Sequence, residues 1–212
     1  FVQELKEKTG QAVLVIKGEE EARLSAQGVL LGWPGAYGLI CDLGGSSMEL
    51  AEIGDGKVGK RISARIGPLK LRELQGSAAA RQQLIARSMA KLTAKMGPQH
   101  NRLFLVGGSW RALARIDMER RAYPLHVIHE YRMDKDAVQK TAAFLRQSDP
   151  EKLRIKCGIS GARMALLPYA IEVLDALVES FTPIDIALSS YGIREGLLYE
   201  QMSKKLRKKD PL

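Results

Sequence analysis

The stretch that most limits what this chain can fold into is Leu39 to Ile53, LICDLGGSSMELAEI. An apolar run enters a pair of glycines and leaves them as a second run of strand character, so the backbone has to turn back between two strands there. Gly44 and Gly45, lacking a Cβ, are expected to take positive φ and to point their N–H groups inward at an anion. Asp42 and Glu49 flank the turn and supply the carboxylates that a magnesium phosphate requires. A plain β-hairpin would read the same way, so the turn raises phosphate chemistry as a hypothesis that the rest of the chain has to support.

The remainder alternates between strand-like and helical periods. Residues 1 to 9 read as a helix halted by Gly10, Ala12 to Ile16 (AVLVI) as a strand, and Glu19 to Leu31 as a helix with an acidic first turn. After the loop GWPG and the strands around the glycine pair, Asp55-Gly56 signals a tight turn into a third strand, KVGKRISARI. Ala78 to Met96 reads as a long helix ended by Gly97-Pro98. RLFLVGGSWRALARI is again a strand and a glycine turn, here followed by a helix. Helices over Asp134 to Gln147 and Ser160 to Ser180, a short strand over Ile184 to Ser189 and a helix from Gly192 complete the pattern. Strands and helices mixed in this way predict an α/β fold with a mixed sheet, and no short-period repeat competes with it.

Composition narrows the function without naming it. The 212 residues, 45% of them hydrophobic, can bury a real core, and a net charge of +9 favours polyanionic partners. A basic but otherwise ordinary soluble protein would show the same excess. Cys41 sits in an apolar strand and Cys157 far from it, with no C-x-x-C spacing, as expected of reduced core residues in a cytoplasmic protein. The most apolar long stretch, Ala162 to Val178, is broken by Arg163, Pro168, Glu172 and Asp175, so neither a membrane span nor a targeting segment is expected. Gly54, Gly56 and Gly59 satisfy G-x-G-x-x-G, but KRISARI after them is a strand where the dinucleotide fingerprint needs a helix. The P-loop pattern is absent, and His100, His126 and His129 lack the spacing of a helical zinc site.

Glu19-Glu20-Glu21, taken alone, need be no more than acids that complement the dipole of a helix N-terminus. Their company says more. GEEEARL, DLGGSSMEL, VGGSWRAL (Val106 to Leu113), LHVIHEYRM (Leu125 to Met133) and GIREGLLYE (Gly192 to Glu200) follow the order of the motifs of the Ppx/GppA phosphatases. Over nearly its whole length the chain resembles that family, the exopolyphosphatases and guanosine pentaphosphate phosphohydrolases.

The resemblance implies an actin-like ATPase (ribonuclease H-like) lobe, with a mixed sheet of five-stranded type flanked by helices. Residues 1–18 would be the end of a first lobe, 19–198 the second lobe and 199–212 the start of a C-terminal extension. Phe1 in place of an initiator methionine, and the lack of the family's other phosphate loop, agree with a piece of a longer protein. The implied activity of the intact protein is Mg2+-dependent hydrolysis of the terminal phosphate of polyphosphate or guanosine pentaphosphate, in the cytoplasm, with very slow turnover by this piece alone. Dimers are common in the family, so a homodimer is the assembly it implies. By position, Glu21 matches the family's catalytic glutamate, which orients or deprotonates the attacking water. Asp42 and Glu49 would hold the metal, Gly44, Gly45, Ser46 and Ser47 the phosphate, and Gly107, Gly108 and Ser109 would form the second glycine turn. Ser46 stands where the family has a third glycine, and at positive φ it would be strained by about 1 kcal/mol. Lys17 stands where the family usually has serine.

Two other classes share parts of this pattern. An actin-like ATP-binding or sugar-kinase lobe would have the same glycine turns, but no acceptor pocket can be named. A non-catalytic polyanion-binding module would use the positive charge, yet the few aromatic residues are not interleaved with basic ones, so nucleic acid is not expected. Lys57, Lys60, Arg61, Arg65, Lys70 and Arg72 could line a channel for a long anion or simply form a solvated face. Arg111 and Arg163 could approach a nucleotide near the second turn or pair on the surface, and KKLRKK (Lys204 to Lys209) is expected to complement the end of its own helix.

Overall fold

The computed structural model describes residues 1–98 and 100–202, so the KKLRKK run lies outside the described residues. Helix α1 (Val2–Thr9) ends at Gly10, whose left-handed conformation (φ 68°) lets its N–H reach back to Lys6. The strand expected over Ala12 to Ile16 does not form. That segment has no ladder partner among the described residues, and Leu14 and Val15 are 84% and 72% exposed. Strand propensity is a preference for a half-buried pleated surface, and nothing there supplies one.

Helix α2 (Gly18–Gly32) leads into the meander β1 (Gly38–Leu43), β2 (Met48–Gly54) and β3 (Lys57–Ala64). Asp55 and Gly56 both take positive φ, 52° and 68°, the twist that a two-residue hairpin between β2 and β3 demands. Next come α3 (Pro68–Arg72), α4 (Ala78–Met96), β4 (Arg102–Val106), α5 (Gly108–Arg120) and the two-residue β5 (Arg132–Met133). The chain continues through α6 (Lys135–Gln147), α7 (Pro150–Lys156), α8 (Gly161–Phe181), β6 (Asp185–Leu188) and α9 (Ile193–Gln201). None of the helices among the described residues is long and apolar enough to cross a membrane.

Among the described residues the sheet has six strands, in the order β3-β2-β1-β4-β6-β5, one more than expected. The added strand is β5, too short to carry a period of its own in the sequence. Strands β1, β4 and β6 run parallel, and β2, β3 and β5 are antiparallel to their neighbours. Alternation along each strand divides the core in two. Leu39, Cys41, Leu43, Leu103, Leu105, Ile186 and Leu188 face the larger core, which includes buried residues of α4, α5, α6 and α8. Ile40, Ala51, Ile53, Phe104, Val106 and Ala187 face α2. Asp42, two residues after Ile40, and Glu49, two before Ala51, therefore lie on the face covered by α2.

Helix α2 is pressed against α9 along a seam of glycines. A Cβ on Gly28 would lie 2.0 Å from the Gly192 carbonyl oxygen, and one on Gly196 would lie 1.9 Å from that of Leu24. The two glycines of the GIREG motif therefore serve close helix packing, and Glu195 between them caps α9 by accepting the Gly192 N–H at 2.8 Å. At the other end of α2, His129 of the LHVIHEYRM stretch has Nε2 3.1 Å from the Gly32 carbonyl and its ring against Tyr191. Tyr131 of the same stretch donates to the buried Asp117 at 2.7 Å. Both residues tie elements together.

Candidate active site

The carboxyl ends of the parallel strands, where open α/β sheets place their ligands, gather the site. Asp42 and Glu49 are direct cross-strand partners on β1 and β2, and Ser63 of β3 is the partner of Glu49 in turn. These three make one row across the sheet under the first half of α2. Ser25 of α2, fully buried, donates its hydroxyl to Asp42 Oδ2 at 2.7 Å. Ser63 donates to Glu49 Oε1 at 2.9 Å. Each carboxylate is thus held through one oxygen by a hydroxyl from a neighbouring element.

Gly18, Glu21, Ser25 and Gly28 recur at the spacing of one helical face. Gly18 packs on the row so closely that a Cβ would meet Ser63 Oγ at 2.4 Å and Glu49 Oε1 at 3.6 Å. Glu21, one turn further, is near enough for its charge to act on Glu49. Glu20 is turned aside to Arg23, which it bonds at 2.7 Å, and Arg23 also pairs with Glu200. Glu19 is exposed. Of the three consecutive acids, Glu21 is thus the one on the face that carries Ser25.

The electrostatics follow from this crowding. Burial raises Asp42 above the usual carboxylate range, opposed by the Ser25 hydroxyl and by Arg111. Burial lifts Glu49 furthest, to about 7; the Ser47 and Ser63 hydroxyls pull it down, while the charges of Glu21 and Asp42 push it up. A pair of like charges directly opposite one another on a ladder is otherwise destabilising.

The turn between β1 and β2 differs from expectation in its backbone. Neither Gly44 nor Gly45 takes positive φ, and nor does Ser46, so serine in place of the third glycine carries no such strain. Close approach requires glycine at Gly67 of the neighbouring loop, where the obstacle is backbone, whereas Gly45 meets only the end of the Leu69 side chain. A Cβ on Gly45 would lie 2.8 Å from Leu69 Cδ1, and one on Gly67 would lie 2.2 Å from the Gly45 carbonyl oxygen. The loop into α3 holds the turn by its carbonyls, Gly67 N–H donating to Ser46 (3.1 Å) and Leu69 N–H to Gly45 (2.8 Å). Gly44 spends its N–H on the Ser47 carbonyl at 3.0 Å, so it is not free for an anion. The N–H groups of Gly45, Ser46 and Ser47 have no acceptor among the described residues. Three successive free donors at an exposed turn make an anion cradle.

The second glycine turn abuts the first. Gly107, at φ 119°, would place a Cβ 2.7 Å from the Leu43 carbonyl oxygen and 3.4 Å from Asp42 Oδ1. Here glycine is required by both conformation and space. Gly108 and Ser109 then open α5, and their N–H groups, like those at any helix start, have no intrahelical acceptor. Lys60 and Lys70, read in the sequence as lining either a channel or a solvated face, pair with Glu52 and Glu73. Ser25, Ser63 and Gly18 were not legible as site residues. A serine or glycine one turn from Glu21 has no meaning until the strand beneath it is known.

The donor set fits magnesium. Among the described residues no group of three or more His, Cys, Asp or Glu is arranged to hold a metal by side chains alone. Mg2+ takes one or two carboxylates and completes its shell with water and phosphate oxygens, which is what the Asp42 and Glu49 pair beside the free N–H groups offers.

The family described as the Ppx/GppA phosphatase family matches residues 1–205. Among solved structures, the Ppx/GppA enzyme of Aquifex aeolicus superposes with a TM-score of 0.75 at 20% identity, covering 93% of this chain and 68% of its own. An exopolyphosphatase from Cytophaga hutchinsonii gives 0.79 at 19% identity, again over 93% of this chain and 68% of its own. These likenesses establish that the chain shares the fold of those two proteins over nearly its whole length.

Proposed function

The chain belongs to the Ppx/GppA phosphatase family, and we propose that its cleft serves magnesium-dependent hydrolysis of the terminal phosphate of inorganic polyphosphate or guanosine pentaphosphate. The family and the exopolyphosphatase neighbours support phosphate hydrolysis of polyphosphate-type substrates. The observation that carries the reading to named residues is that Glu21 stands over the Asp42 and Glu49 row, on the helix face that also supplies Ser25.

In this reading the N–H groups of Gly45, Ser46 and Ser47 hold the terminal phosphate and take up charge that develops on its oxygens. Glu21 accepts a proton from a water placed in line with the bridging P–O bond. The water oxygen bonds to phosphorus, the bridging bond breaks, and the shortened chain leaves with that bond's electron pair. Asp42 and Glu49 would hold Mg2+, which supplies charge neutralisation on the phosphate oxygens. Ser25 and Ser63 keep the two carboxylates in place without side-chain movement.

Glu21→Gln keeps the size and polarity of the side chain and removes the base. Phosphate release from polyphosphate, measured with this chain and with any longer protein that contains it, should fall by about a hundredfold or more, with the thermal melt unchanged. An unaltered rate would sink the assignment. The chain spans about two-thirds of the length of these solved relatives, and turnover by this chain alone is expected to be very slow.

A further inference from the structure

The amino ends of β1 and β4, at the far side of the sheet from the Glu21 row, border a cavity of about 650 Å3. Its place follows from the register of β1 and β2. Leu39 and Glu52 are cross-strand partners, and Leu39 faces the larger core, so Glu52 stands on the face that carries α4. Helix α4 ends at Met96, and the chain passes through His100 and Asn101 into β4. Beyond that end the same face continues over Glu52 and Gly54, and Met96, His100 and Asn101 form a wall of the cavity.

Gly54 and Gly59 keep this cavity open, which gives the G-x-G-x-x-G spacing a consequence that involves no phosphate loop. A Cβ on Gly54 would lie 2.8 Å from Tyr37 Cδ2, so the Tyr37 ring rests on bare backbone. One on Gly59 would lie 3.2 Å from Glu52 Cβ, so the glycine lets β3 pass close over the stem of Glu52. Strand β3 also carries one extra residue here, since Ala51 pairs with Arg61 and Ile53 with Val58, and such bulges re-aim the side chains beside them. The lining is chemically mixed. Tyr37 is 67% exposed, and its hydroxyl, like the side chains of Asp55 and Asn101, has no partner among the described residues. Glu52 is held by Lys60, whose N–H it accepts at 3.3 Å and whose ammonium lies 3.8 Å away. His100 is braced against Phe181 and has Nε2 3.2 Å from the Met96 carbonyl. A carbonyl only accepts, so in the neutral ring Nε2 carries the proton and Nδ1 is left as an acceptor.

We propose that this cavity binds a purine nucleoside, at a site separate from the phosphate cleft and independent of the hydrolytic reading. Small-molecule sites run from about 300 to 1,000 Å3, with apolar walls and a few convergent polar groups. A phosphate would meet the carboxylates of Glu52 and Asp55, with Lys57 the one ammonium in the lining, so the cavity does not suit a polyanion. An aliphatic amine would leave the Tyr37 ring unused. A flat ring that bears amino or N–H donors uses the whole set: it stacks on Tyr37, donates to Glu52, Asp55 or His100 Nδ1, and pairs with the Asn101 amide.

The test is titration of the isotope-labelled chain with adenosine and with guanosine, followed by amide chemical shifts. Saturable shifts are expected at Gly38, Gly54, Gly59 and Asn101, with a dissociation constant of about 1 mM or tighter for at least one of the two. Tyr37→Ala should weaken that nucleoside by about tenfold, as loss of a stacking face does, whereas Tyr37→Phe, which keeps the ring, should bind as the parent does. Glu52→Gln should weaken it by about fivefold, and reads the same cavity if Tyr37→Ala disturbs the free chain. The corresponding nucleoside triphosphate should shift these amides no more tightly than the nucleoside, and pyrophosphate should leave them in place. No saturable shift at these amides, parent affinity in both Tyr37→Ala and Glu52→Gln, or shifts confined to the turn from Gly44 to Ser47 would each overturn the proposal. The hydrolytic reading survives every one of these results, and an unaltered rate in Glu21→Gln would leave the nucleoside site standing.

Discussion

Glu49 is the residue on which the site's energetics turn. Its ordinary pKa is 4.5 and its folded value is about 7, because burial and two neighbouring carboxylates disfavour the charge. Between those values the folded chain binds more protons than the unfolded one, so this group's contribution to stability falls as pH rises through that window. Glu49→Gln removes the penalty. The variant should therefore be more stable than the parent at pH 8, by up to about 3 kcal/mol, and nearly equal to it at pH 4.5. Urea titrations at the two pH values check this; a pH-independent difference would show that Glu49 titrates normally. The sequence marked Asp42 and Glu49 because they flank a glycine turn. It gave no sign of Ser25 and Ser63, since their roles come from a helix and a third strand laid against that turn.

At the scale of elements, the glycines of this chain act mainly by letting backbones touch. Gly44 and Gly45 take no positive φ, and it is Gly67, in the loop from β3 to α3, whose backbone must lie against the Gly45 carbonyl. Conformation and close packing leave the same letter in a sequence, so the reason could not be read there. Gly196, where a Cβ would lie 1.9 Å from a backbone carbonyl, tests the helix seam. Gly196→Ala must push α9 away from α2, and with α2 go Glu21 and Ser25. The expected cost is about 1–3 kcal/mol in chemical denaturation, with a greater loss of phosphate release than Ala would cause on an exposed helix face. Retained stability and rate would mean that the seam is loose. The AVLVI segment teaches the converse: five residues of strand character form no strand, and Ala12 to Val15 stay exposed, because no neighbouring strand among the described residues completes them.

On the scale of the whole molecule, the carboxyl ends of the central strands β1 and β4 lie with the start of β2, the start of α5 and the start of α2 in one region. A ligand that bridges these elements should stabilise all of them together. Magnesium with pyrophosphate at about a hundred times the dissociation constant should add about 2.7 kcal/mol, or roughly 5–11 °C in the melting temperature. Each component alone should add less, as scanning calorimetry would show; equal shifts for magnesium alone and for the mixture would place the metal away from the phosphate. The sequence by itself determined the alternation of strands and helices, the two glycine turns and the order of motifs that identifies the family. These depend on period and on residues near one another in the chain. Only the tertiary structure decided which hydroxyls hold the carboxylates and which glycines seat α2 against α9. Those are contacts between residues distant in sequence, set by strand order and by how closely α2 and α9 can approach, and no local pattern encodes them.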